Sequence, residues 1–444
     1  MESPPLKVTF SFKAGQGGSG DPERREFWDS PDTIEWFKLR GYTLYQRGYA
    51  TYSTGATLPT DSSYPVFPPE SDSEFVDVEY PYSSYDVRVN VWEGFPPQPP
   101  LGACETTGKV VFAQDTHKRH VAIKIVHADT DEYRVLRFLN QQNLEVLKKS
   151  CILPVLELLP NDGFWFAVMP RWGPDLFRPS FTYMFEIIEI MHSCLKGLSY
   201  LHEHNIVHGD IRFENVLLSH FSNMSNEDFN DINVWCKERR ENRVIRYALC
   251  DYDLSIMFPP TANKTECRLP HYESWGTFNL SYDTAGGEYD YDPFALDVGG
   301  LGVQFAQNFG LAAAKIHFLA PLIDKMTTWD ISQRFTASEA LIFFEERLAE
   351  VPEEELRDYI GAISPHKAYL EWDIWARVPA EVAEDWKSYR TPPIPWHLQT
   401  FRFLDRHLSR LNPYILPKTR FYLSCLASVF KTVYSFVFSS KIAI

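Results

Sequence analysis

Two short stretches carry most of the chemical information in this sequence: HGDIRFEN at residues 208–215 and CDYDLS at residues 250–255. Asp210 and Asn215 stand five positions apart in the first stretch, and Asp251 follows an apolar run in the second. A carboxylate can take the proton of a hydroxyl group, and carboxylate and amide oxygens bind magnesium well. The spacing therefore predicts Asp210 as a general base, with Asn215 and Asp251 as metal ligands beside a nucleotide phosphate.

The residues around these motifs add one candidate and one alternative. Arg212 lies two residues after Asp210, where it could neutralise a γ-phosphate as it moves. A His-x-Asp triplet by itself is also typical of a solvated turn. The segment at residues 220–243 is longer than a tight hairpin requires and carries several basic side chains. It is predicted as a solvated loop, with docking of a partner as the alternative.

A lysine in an apolar strand supplies the next candidate. Lys124 lies in VAIKIV, at residues 121–126, where an unpaired ammonium group would be costly to bury. Glu132 opens a predicted helix at residues 131–139 and is the candidate carboxylate partner. Such an ion pair would hold Lys124 against the α- and β-phosphates of a nucleotide. Without Glu132, Lys124 would be interpreted as a strand lysine that reaches the surface.

The segment before this strand partly fits a phosphate-covering loop. A glycine-rich hairpin exposes backbone N–H groups to phosphate oxygens, and glycines allow the close approach. In LGACETTGKVVFAQD, residues 101–115, Gly108 and Val110 fit the end of a GxGxxGxV pattern. The first glycine is displaced by one position, and Cys104 or Glu105 replaces the middle one. A glutamate would repel phosphate, so an ordinary hairpin remains the alternative.

Composition narrows the class of protein. The 444 residues include 59 acidic and 43 basic side chains, which gives a formal net charge of −16. A duplex-binding surface needs a basic excess, so no nucleic-acid partner is expected, whereas basic protein substrates would be attracted. The seven cysteines are scattered without a CxxC pair, so neither a disulfide scaffold nor a zinc site is expected. This cysteine usage favours a reducing compartment and therefore an intracellular, cytoplasmic location. The first residues contain no basic region followed by an apolar run, so no secretory signal is predicted.

The apolar pattern predicts an α+β fold in three parts. Strand-like runs, at residues 87–92, 109–115 and 120–126, precede a long region of helical periodicity from about residue 181 to 345. The predicted parts are an N-terminal extension at residues 1–84, a main domain at residues 85–348 (β-rich at 85–169, helical at 173–348, with the insert at 220–243) and a C-terminal tail at residues 349–444.

The two terminal parts carry separate expectations. The extension is expected to be partly disordered, with a short helix near residues 31–40. Ser30, Pro31 and Asp32 follow the order of an N-cap, a proline at the first helical position and an acid in the first turn. The tail is mostly apolar at residues 422–444 but is interrupted by Lys431. It is predicted to be a helix that packs on the main domain or lies on a surface. Membrane association is the less favoured alternative, because a charge near the centre of a span costs about 2.5–3.5 kcal/mol.

Together these pieces resemble the eukaryotic protein kinase family, of the serine/threonine type, over residues 87–348. The matching motifs, in chain order, are VAIK, the helix glutamate, HxDxxxxN, an Asp-aromatic pair where DFG is usual, the GT of Gly276-Thr277, DVGGLG at 297–302 and QRFTASEAL at 333–341. The resemblance implies a bilobal protein kinase-like fold with a small β-rich N-lobe and a larger α-helical C-lobe, and it implies ATP and Mg²⁺ as cofactors. The N-terminal FW…RGY segment also resembles fungal proteins of the mushroom lineages.

The resemblance assigns a role to each candidate residue. The catalytic set would be Asp210 as base, the Lys124–Glu132 ion pair, Arg212 and Thr277. Magnesium would be bound by Asn215 and Asp251. The nucleotide would contact Gly108, Val110, Ala122, Lys124, Leu217 and the hinge residues Pro170 and Trp172, with Met169 at the gatekeeper position. His208, Tyr252 and Leu136 would stack as a regulatory spine.

Several positions depart from the family pattern. Gly209 stands where an arginine precedes the catalytic Asp, which puts regulation by an activation-loop phosphate in doubt. Asp253 replaces the glycine of DFG and adds a carboxylate near the metal. The APE triplet is absent, and Glu288 is the expected substitute partner for Arg334. Arg212 stands where serine/threonine kinases carry a lysine and tyrosine kinases lack a basic residue, which favours serine or threonine hydroxyls as acceptors.

Three functions remain open at this point. The first is ATP-dependent phosphoryl transfer to serine or threonine hydroxyls of a protein. The altered glycine loop and the missing APE motivate the second, a pseudokinase scaffold. The third is a small-molecule phosphotransferase, because HGD followed by Asn and Asp-Tyr-Asp also resembles the aminoglycoside and choline kinase group. The GT, DVGGLG and RFTASEAL segments argue against the third. The physiological substrate and the oligomeric state remain open.

Overall fold

A computed structural model describes most of the chain. The described residues are 5–8, 22–47, 56–58, 82–84, 103–104, 107–174, 176–177, 180–222, 236–237, 239–274, 277, 283–360, 373–408 and 414–423. The strand expected at residues 87–92, Gly276, much of the insert and the apolar tail beyond residue 423 lie outside these ranges. Within them, no helix is long and apolar enough to cross a membrane.

Strands dominate the chain between residues 43 and 170 and helices dominate after residue 184, which confirms the mixed α+β class. The helices are α1 Pro22–Asp29, α2 Pro31–Lys38, α3 Asp131–Asn140, α4 Leu144–Lys149, α5 Met184–Glu203, α6 Pro293–Phe309, α7 Leu319–Thr327, α8 Ala337–Leu348, α9 Glu353–Leu356, α10 Ala380–Asp385 and α11 Trp396–Leu408. The strands are β1 Thr43–Leu44, β2 Gln46–Arg47, β3 Ala56–Leu58, β4 Tyr82–Ser84, β5 Ala103–Cys104, β6 Val110–Gln114, β7 His120–His127, β8 Glu157–Asn161, β9 Phe164–Pro170, β10 Ile206–Val207, β11 Val216–Leu218, β12 His220–Ser222, β13 Tyr247–Leu249, β14 Ile256–Met257, β15 Leu269–Pro270 and β16 Asp290–Tyr291.

The chain divides into two compact units. The first comprises residues 1–208, 212–257 and 345–364, and the second comprises residues 209–211, 258–344 and 365–444. The first unit contains the large sheet and the helix α5, whereas the second contains α6 and α7.

The main sheet of the first unit has five antiparallel strands in the order β1-β6-β7-β9-β8. Side chains alternate between the two faces of a strand, so one face of β7 carries Val121, Ile123 and Ile125. These three residues are buried in a hydrophobic cluster. The opposite face carries Ala122 and Lys124, which explains how an apolar strand can accommodate a lysine.

The N-terminal helices cover the apolar face of this sheet. Trp28 of α1 and Trp36 and Phe37 of α2 lie with their ring centroids 5.9, 5.3 and 4.9 Å from that of Phe166 on β9. The helix α2 begins after Ser30, whose side chain accepts a hydrogen bond from the N–H of Thr33. It lies where the sequence predicts a short helix with a docked aromatic face.

The helix α5 packs closely against the β11–β13 hairpin in the same unit. A Cβ atom on Gly197 would lie 2.7 Å from the Cδ1 of Leu249, so glycine permits the close approach. The strands β11 and β13 are antiparallel, with Val216 opposite Leu249 and Leu217 opposite Ala248. This ladder fixes the backbone that leads into Asp251.

A buried ion pair lies within the second unit, and one of its partners differs from the residue predicted from the sequence. Arg334 donates to both oxygens of Asp283, over 2.6 and 2.7 Å, and both side chains are at most 2% exposed. The expected partner, Glu288, instead lies 2.9 Å from Arg420. The prediction of Glu288 was wrong because sequence order alone does not reveal which of two nearby acids is buried beside the guanidinium group.

Candidate active site

The strand β7 presents the candidate nucleotide-binding residues on one face of the sheet. Val110 pairs with Lys124, and Met169 pairs with Ala122. Residues directly opposite each other on neighbouring strands project from the same face. Val110, Ala122, Lys124 and Met169 therefore share the face opposite the hydrophobic cluster, and Val110, Ala122 and Met169 are only partly buried there.

The helix α3 delivers Glu132 to Lys124. Thr130 caps this helix by accepting a hydrogen bond from the N–H of Tyr133, and Glu132 lies in its first turn. The buried residues Val135 and Leu136 fix the orientation of the helix. As a result, the Oε1 atom of Glu132 lies 2.5 Å from the Nζ atom of Lys124.

The β11–β13 ladder delivers Asp251 to the same lysine. The Nζ atom of Lys124 donates to the Oδ1 atom of Asp251 over 2.5 Å. The N–H of Cys250 donates to the carbonyl of Asn215 over 3.0 Å, so Asn215 and Asp251 lie at the same end of this hairpin. Asp251 has a φ of 65°, in the sparsely populated left-handed region. Strained backbone of this kind is often found at functional sites.

The charges of this cluster stabilise one another. Burial alone lowers the pKa of Lys124, but the carboxylates of Glu132, Asp251 and Asp253 outweigh it and hold the pKa above its ordinary value. Burial alone raises the pKa of Asp251, but Lys124, with smaller contributions from His208 and Lys109, holds it below the usual range. Lys124 is therefore an ammonium group and Asp251 a carboxylate at neutral pH. The contact of Lys124 with Asp251 is a hydrogen bond, and an ammonium group has three donors, so Lys124 retains donor capacity for a further acceptor.

A second lysine contacts the Asp-Tyr-Asp segment. The Nζ atom of Lys109 lies 3.2 Å from the Oδ2 atom of Asp253, and both side chains are partly exposed. Nothing in the sequence pattern identifies this pair, because lysine at the position after a loop glycine has no particular meaning. Lys109 thus adds a positive charge beside the carboxylate of Asp253.

A buried histidine supports the turn that carries Asp251. The Nε2 atom of His208 lies 3.0 Å from the carbonyl oxygen of Cys250, and the hydroxyl of Ser255 donates to the His208 carbonyl over 2.8 Å. The His208 ring centroid is 5.6 Å from that of Tyr252. Leu136, the third residue expected in this stack, is buried on α3. These contacts tie the chain before Asp210 to the chain after Asp251.

The predicted adenine-contacting residues Trp172 and Leu217 lie in a second apolar cluster. Trp172 is buried with Leu153 and Ala248, and Leu217 packs against the same group. Pro170 ends β9, opposite Val121. The predicted hinge, residues 170–172, thus begins at the last residue of β9. It directly follows Met169, which lies on the same face of the sheet as Lys124.

The remaining candidates have local contacts of their own. The Nε atom of Arg212 lies 3.1 Å from the Oε2 atom of Glu214, and both side chains are exposed. Asp210 and Thr277 belong to the second unit. The Oγ1 atom of Thr277 donates to the Ser274 carbonyl over 2.7 Å.

The loop that carries Asp210 is fixed within its own unit. Gly209 has a φ of 80°, which favours glycine, and its N–H donates to the Oδ1 atom of Asp297 over 2.9 Å. Asp297 is buried on α6, in the DVGGLG segment that contributes to the sequence resemblance. The described contacts therefore explain the glycine at this position and hold the backbone directly before Asp210.

The donor set fits magnesium and a phosphate group chemically. Magnesium prefers hard oxygen ligands and is usually held by one or two protein oxygens together with phosphate and water oxygens. The carboxylate of Asp251, which is 39% exposed, and the amide of Asn215 provide such atoms. Lys124, with a side chain only 9% exposed, provides a buried positive charge for a phosphate.

Comparison with known proteins identifies partial relatives. No protein-family profile matches the chain. Calcium-dependent protein kinase 4 of Plasmodium berghei (strain Anka) is 30% identical over 122 residues, which are 25% of this chain and 23% of that protein. Mitogen-activated protein kinase kinase kinase 6 of Homo sapiens is 28% identical over 178 residues, 37% of this chain and 13% of the relative. Serine/threonine-protein kinase 1 of Lymantria dispar multicapsid nuclear polyhedrosis virus is 29% identical over 145 residues, 33% of this chain and 45% of the relative.

The similarity is thus partial on both sides. The chain spans less than half the length of each of these relatives. Over that part it is similar to protein kinases, one of which is named a serine/threonine-protein kinase, and this supports a protein kinase-like family for this chain.

Proposed function

We propose that this protein transfers the γ-phosphoryl group of ATP to serine or threonine hydroxyls of a protein, through a bilobal kinase-like fold. The observation that carries the proposal is the contact of one buried ammonium group, on Lys124, with two carboxylates, Glu132 and Asp251. A charge arrangement of this kind positions nucleotide phosphates and stabilises the charge that develops during phosphoryl transfer.

Each candidate residue of the active site has a role in this proposal. Lys124 binds the α- and β-phosphates while Glu132 holds its side chain in place. Asn215 and Asp251 hold magnesium, which screens the phosphate charge when it is bound. Asp210 takes the proton of the acceptor hydroxyl.

Other residues would determine the acceptor and the nucleotide pocket. Arg212, in the position of the family lysine, supports a serine or threonine acceptor, as does the name of the viral relative, a serine/threonine-protein kinase. The adenine ring would lie between Val110 and Ala122 on one side and Leu217 on the other. Thr277 and the hinge residues Pro170 and Trp172 would complete the site.

The direct test is transfer of ³²P from labelled ATP with magnesium to a basic protein such as histone H1 and to an acidic one such as casein. We expect transfer by the wild type, with the basic substrate preferred. The variants Lys124→Met and Asp210→Asn should lose at least about a hundredfold in rate, in line with the size of general-base and charge effects. Lys149→Met and Asp162→Asn change the same residue types at exposed positions and should retain the rate. Equal rates in all five proteins would refute the proposal.

A pseudokinase is the second candidate, and two departures from the family pattern favour it. The glycine pattern before β6 is altered, and the APE triplet is absent. A chain of this kind would use the fold as a binding scaffold with weak or no turnover. Nucleotide binding by thermal shift, together with no ³²P transfer to protein, would support this candidate. Transfer to choline or an amino sugar, but not to protein, would instead indicate a small-molecule phosphotransferase.

A further inference from the structure

The helix α1 contacts the backbone that leads from the candidate phosphate loop into β6. The Nη1 atom of Arg24 donates to the carbonyl of Thr107 over 2.6 Å. One helical turn later, the indole Nε1 of Trp28 donates to the carbonyl of Gly108 over 2.9 Å. Both donors are buried side chains, and their acceptors lie 83 and 80 positions away in the sequence. Two successive carbonyls of this segment are thus held by one face of a single helix.

The contact also explains the glycine at residue 108. Gly108 has a φ of 71°, in the left-handed region. A Cβ atom built on it would lie 2.7 Å from the Cβ atom of Arg24. Glycine is therefore required at residue 108 by its backbone conformation and by the close approach of α1.

The segment held by α1 runs directly into the candidate active site. Lys109, the next residue, contacts Asp253, and Val110 lies opposite Lys124 on the sheet. The N–H of Lys109 also donates to the side-chain oxygen of Thr107 over 3.2 Å. A shift of the Thr107–Gly108 backbone would therefore move residues that neighbour Lys124 and Asp251.

The helix α1 is itself fixed firmly. Phe27 and Trp28 lie within a cluster of aromatic rings, with centroids 6.5 and 5.9 Å from that of Phe166. Trp36 and Phe37 of α2 complete this cluster. Because protein cores are close-packed, this cluster restricts the movement of α1 and therefore of the side chains of Arg24 and Trp28.

We propose that Arg24 and Trp28 are positioning residues for nucleotide binding, and that α1 holds the Thr107–Gly108 backbone, which leads into β6, in its binding conformation. This inference rests on the proposed function. Of the three glycines of the usual pattern, only Gly108 stands at its expected position, because Gly102 is displaced and the middle one is replaced. The segment before β6 therefore has less backbone freedom to adjust around phosphates. Fixing the Thr107–Gly108 backbone in advance reduces the conformational freedom that is lost on binding, which strengthens affinity.

The chain contains a matched pair of tryptophans for the test. Trp28→Phe keeps an aromatic ring in the cluster but removes the N–H that donates to Gly108. Trp36→Phe makes the same change in the same cluster, at a residue equally buried, whose indole nitrogen has no hydrogen-bond partner among the described residues. Trp36 also stacks against Arg40, with 3.5 Å between the Arg40 Cζ atom and the ring centroid, so Trp36→Phe weakens that contact as well. A larger effect of Trp28→Phe on residues 107–114 therefore reports the hydrogen bond to Gly108.

Two measurements address the proposal. Hydrogen exchange followed by mass spectrometry should show faster exchange of the peptide at residues 107–114 in Trp28→Phe than in Trp36→Phe. Titration of a fluorescent ATP analogue with magnesium should show affinity weakened about fivefold in Trp28→Phe, the effect of one typical hydrogen bond. Once transfer is measurable, the KM for ATP should rise similarly, while kcat and the KM for the protein substrate stay within twofold. Arg24→Met, which keeps the aliphatic stem, should behave like Trp28→Phe.

The outcomes separate this inference from the proposed function. If the wild type binds nucleotide and Trp28→Phe matches Trp36→Phe in exchange and affinity, the positioning role is refuted while the proposed function stands. If the wild type binds no nucleotide, both fall. If Trp28→Phe proves too unstable to measure, Arg24→Met decides between the same two results.

Discussion

Lys124→Met removes the charge that separates two carboxylates. In the structure, Glu132 and Asp251 both lie against the Nζ atom of Lys124. Methionine has a similar length and fills the space, but it leaves these carboxylates facing each other. We therefore expect the variant to be less stable than the wild type at neutral pH, independently of any effect on catalysis.

The expected size of the loss follows from the distances. Each carboxylate oxygen lies 2.5 Å from the same nitrogen, so the Glu132 and Asp251 oxygens are at most 5.0 Å apart (2.5 + 2.5). Two like charges about 5 Å apart repel by about 3 kcal/mol at an effective dielectric constant of about 20. Because Asp251 is 39% exposed, water screens part of this repulsion. We expect a loss of about 2 kcal/mol in the free energy of unfolding, somewhat below the range for breaking a fully buried pair.

The dependence on pH identifies the cause. The pKa of Asp251 lies below its ordinary value in the folded protein. A lowered carboxyl pKa contributes stability above the unfolded pKa, and that stability is lost as pH falls through the folded pKa. Lys124→Met abolishes this contribution, and its paired carboxylates take up a proton more readily. The difference between wild type and variant should therefore be largest near pH 7 and shrink toward pH 4.

Urea unfolding followed by tryptophan fluorescence, at a series of pH values, measures this difference. Lys149→Met, at an exposed position at the end of α4, should be as stable as the wild type at every pH. Adding Glu132→Gln to Lys124→Met removes one of the two repelling charges and should restore part of the loss. A Lys124→Met protein that is as stable as the wild type at pH 7, or one whose loss is the same at pH 7 and pH 4.5, would refute the reasoning.

Two further predictions concern stability away from this cluster. Arg334→Lys keeps the charge but loses the bidentate contact with buried Asp283, so the free energy of unfolding, measured in urea, should fall by about 2–4 kcal/mol. The same change at Arg347, in a partly exposed pair, should cost under about 0.5 kcal/mol. Equal losses in the two variants would contradict the stabilising role of the Arg334–Asp283 pair. Burial, opposed by Arg243, raises the pKa of Glu189 to about 7. A carboxyl pKa that is raised on folding gives stability that is present at low pH and is lost as pH rises through 7. The melting temperature of Glu189→Gln should therefore fall less between pH 5 and 8 than that of the wild type. An unchanged pH profile would argue against the raised pKa of Glu189.

The parts of the site that could be predicted are those with a local signal. Lys124 is conspicuous because an apolar strand of period two cannot bury an unpaired ammonium group. Glu132 follows from a helix start that Thr130 caps, and Asp251 from its place after a short apolar strand. Each of these signals lies within about ten residues of sequence, and the contacts among the three residues agree with them.

The parts that could not be predicted depend on contacts between distant segments. Trp28 and Gly108 are 80 positions apart, and Lys109 and Asp253 are 144 apart. No periodicity connects such pairs, because the chain between them sets their distance only through the complete fold. The choice of Asp283 rather than Glu288 beside Arg334 is of the same kind. Burial selects the partner, and burial of an acid cannot be inferred from its neighbours in sequence.

The aromatic cover formed by α1 and α2 has a practical consequence for recombinant work. An expression plasmid trimmed to the predicted main domain, at residues 85–348, would omit Trp28, Trp36 and Phe37. The sheet would then present Phe166 and its apolar neighbours to water, and an exposed patch of that kind promotes self-association. Material for crystallisation or screening should therefore retain the chain from before residue 22.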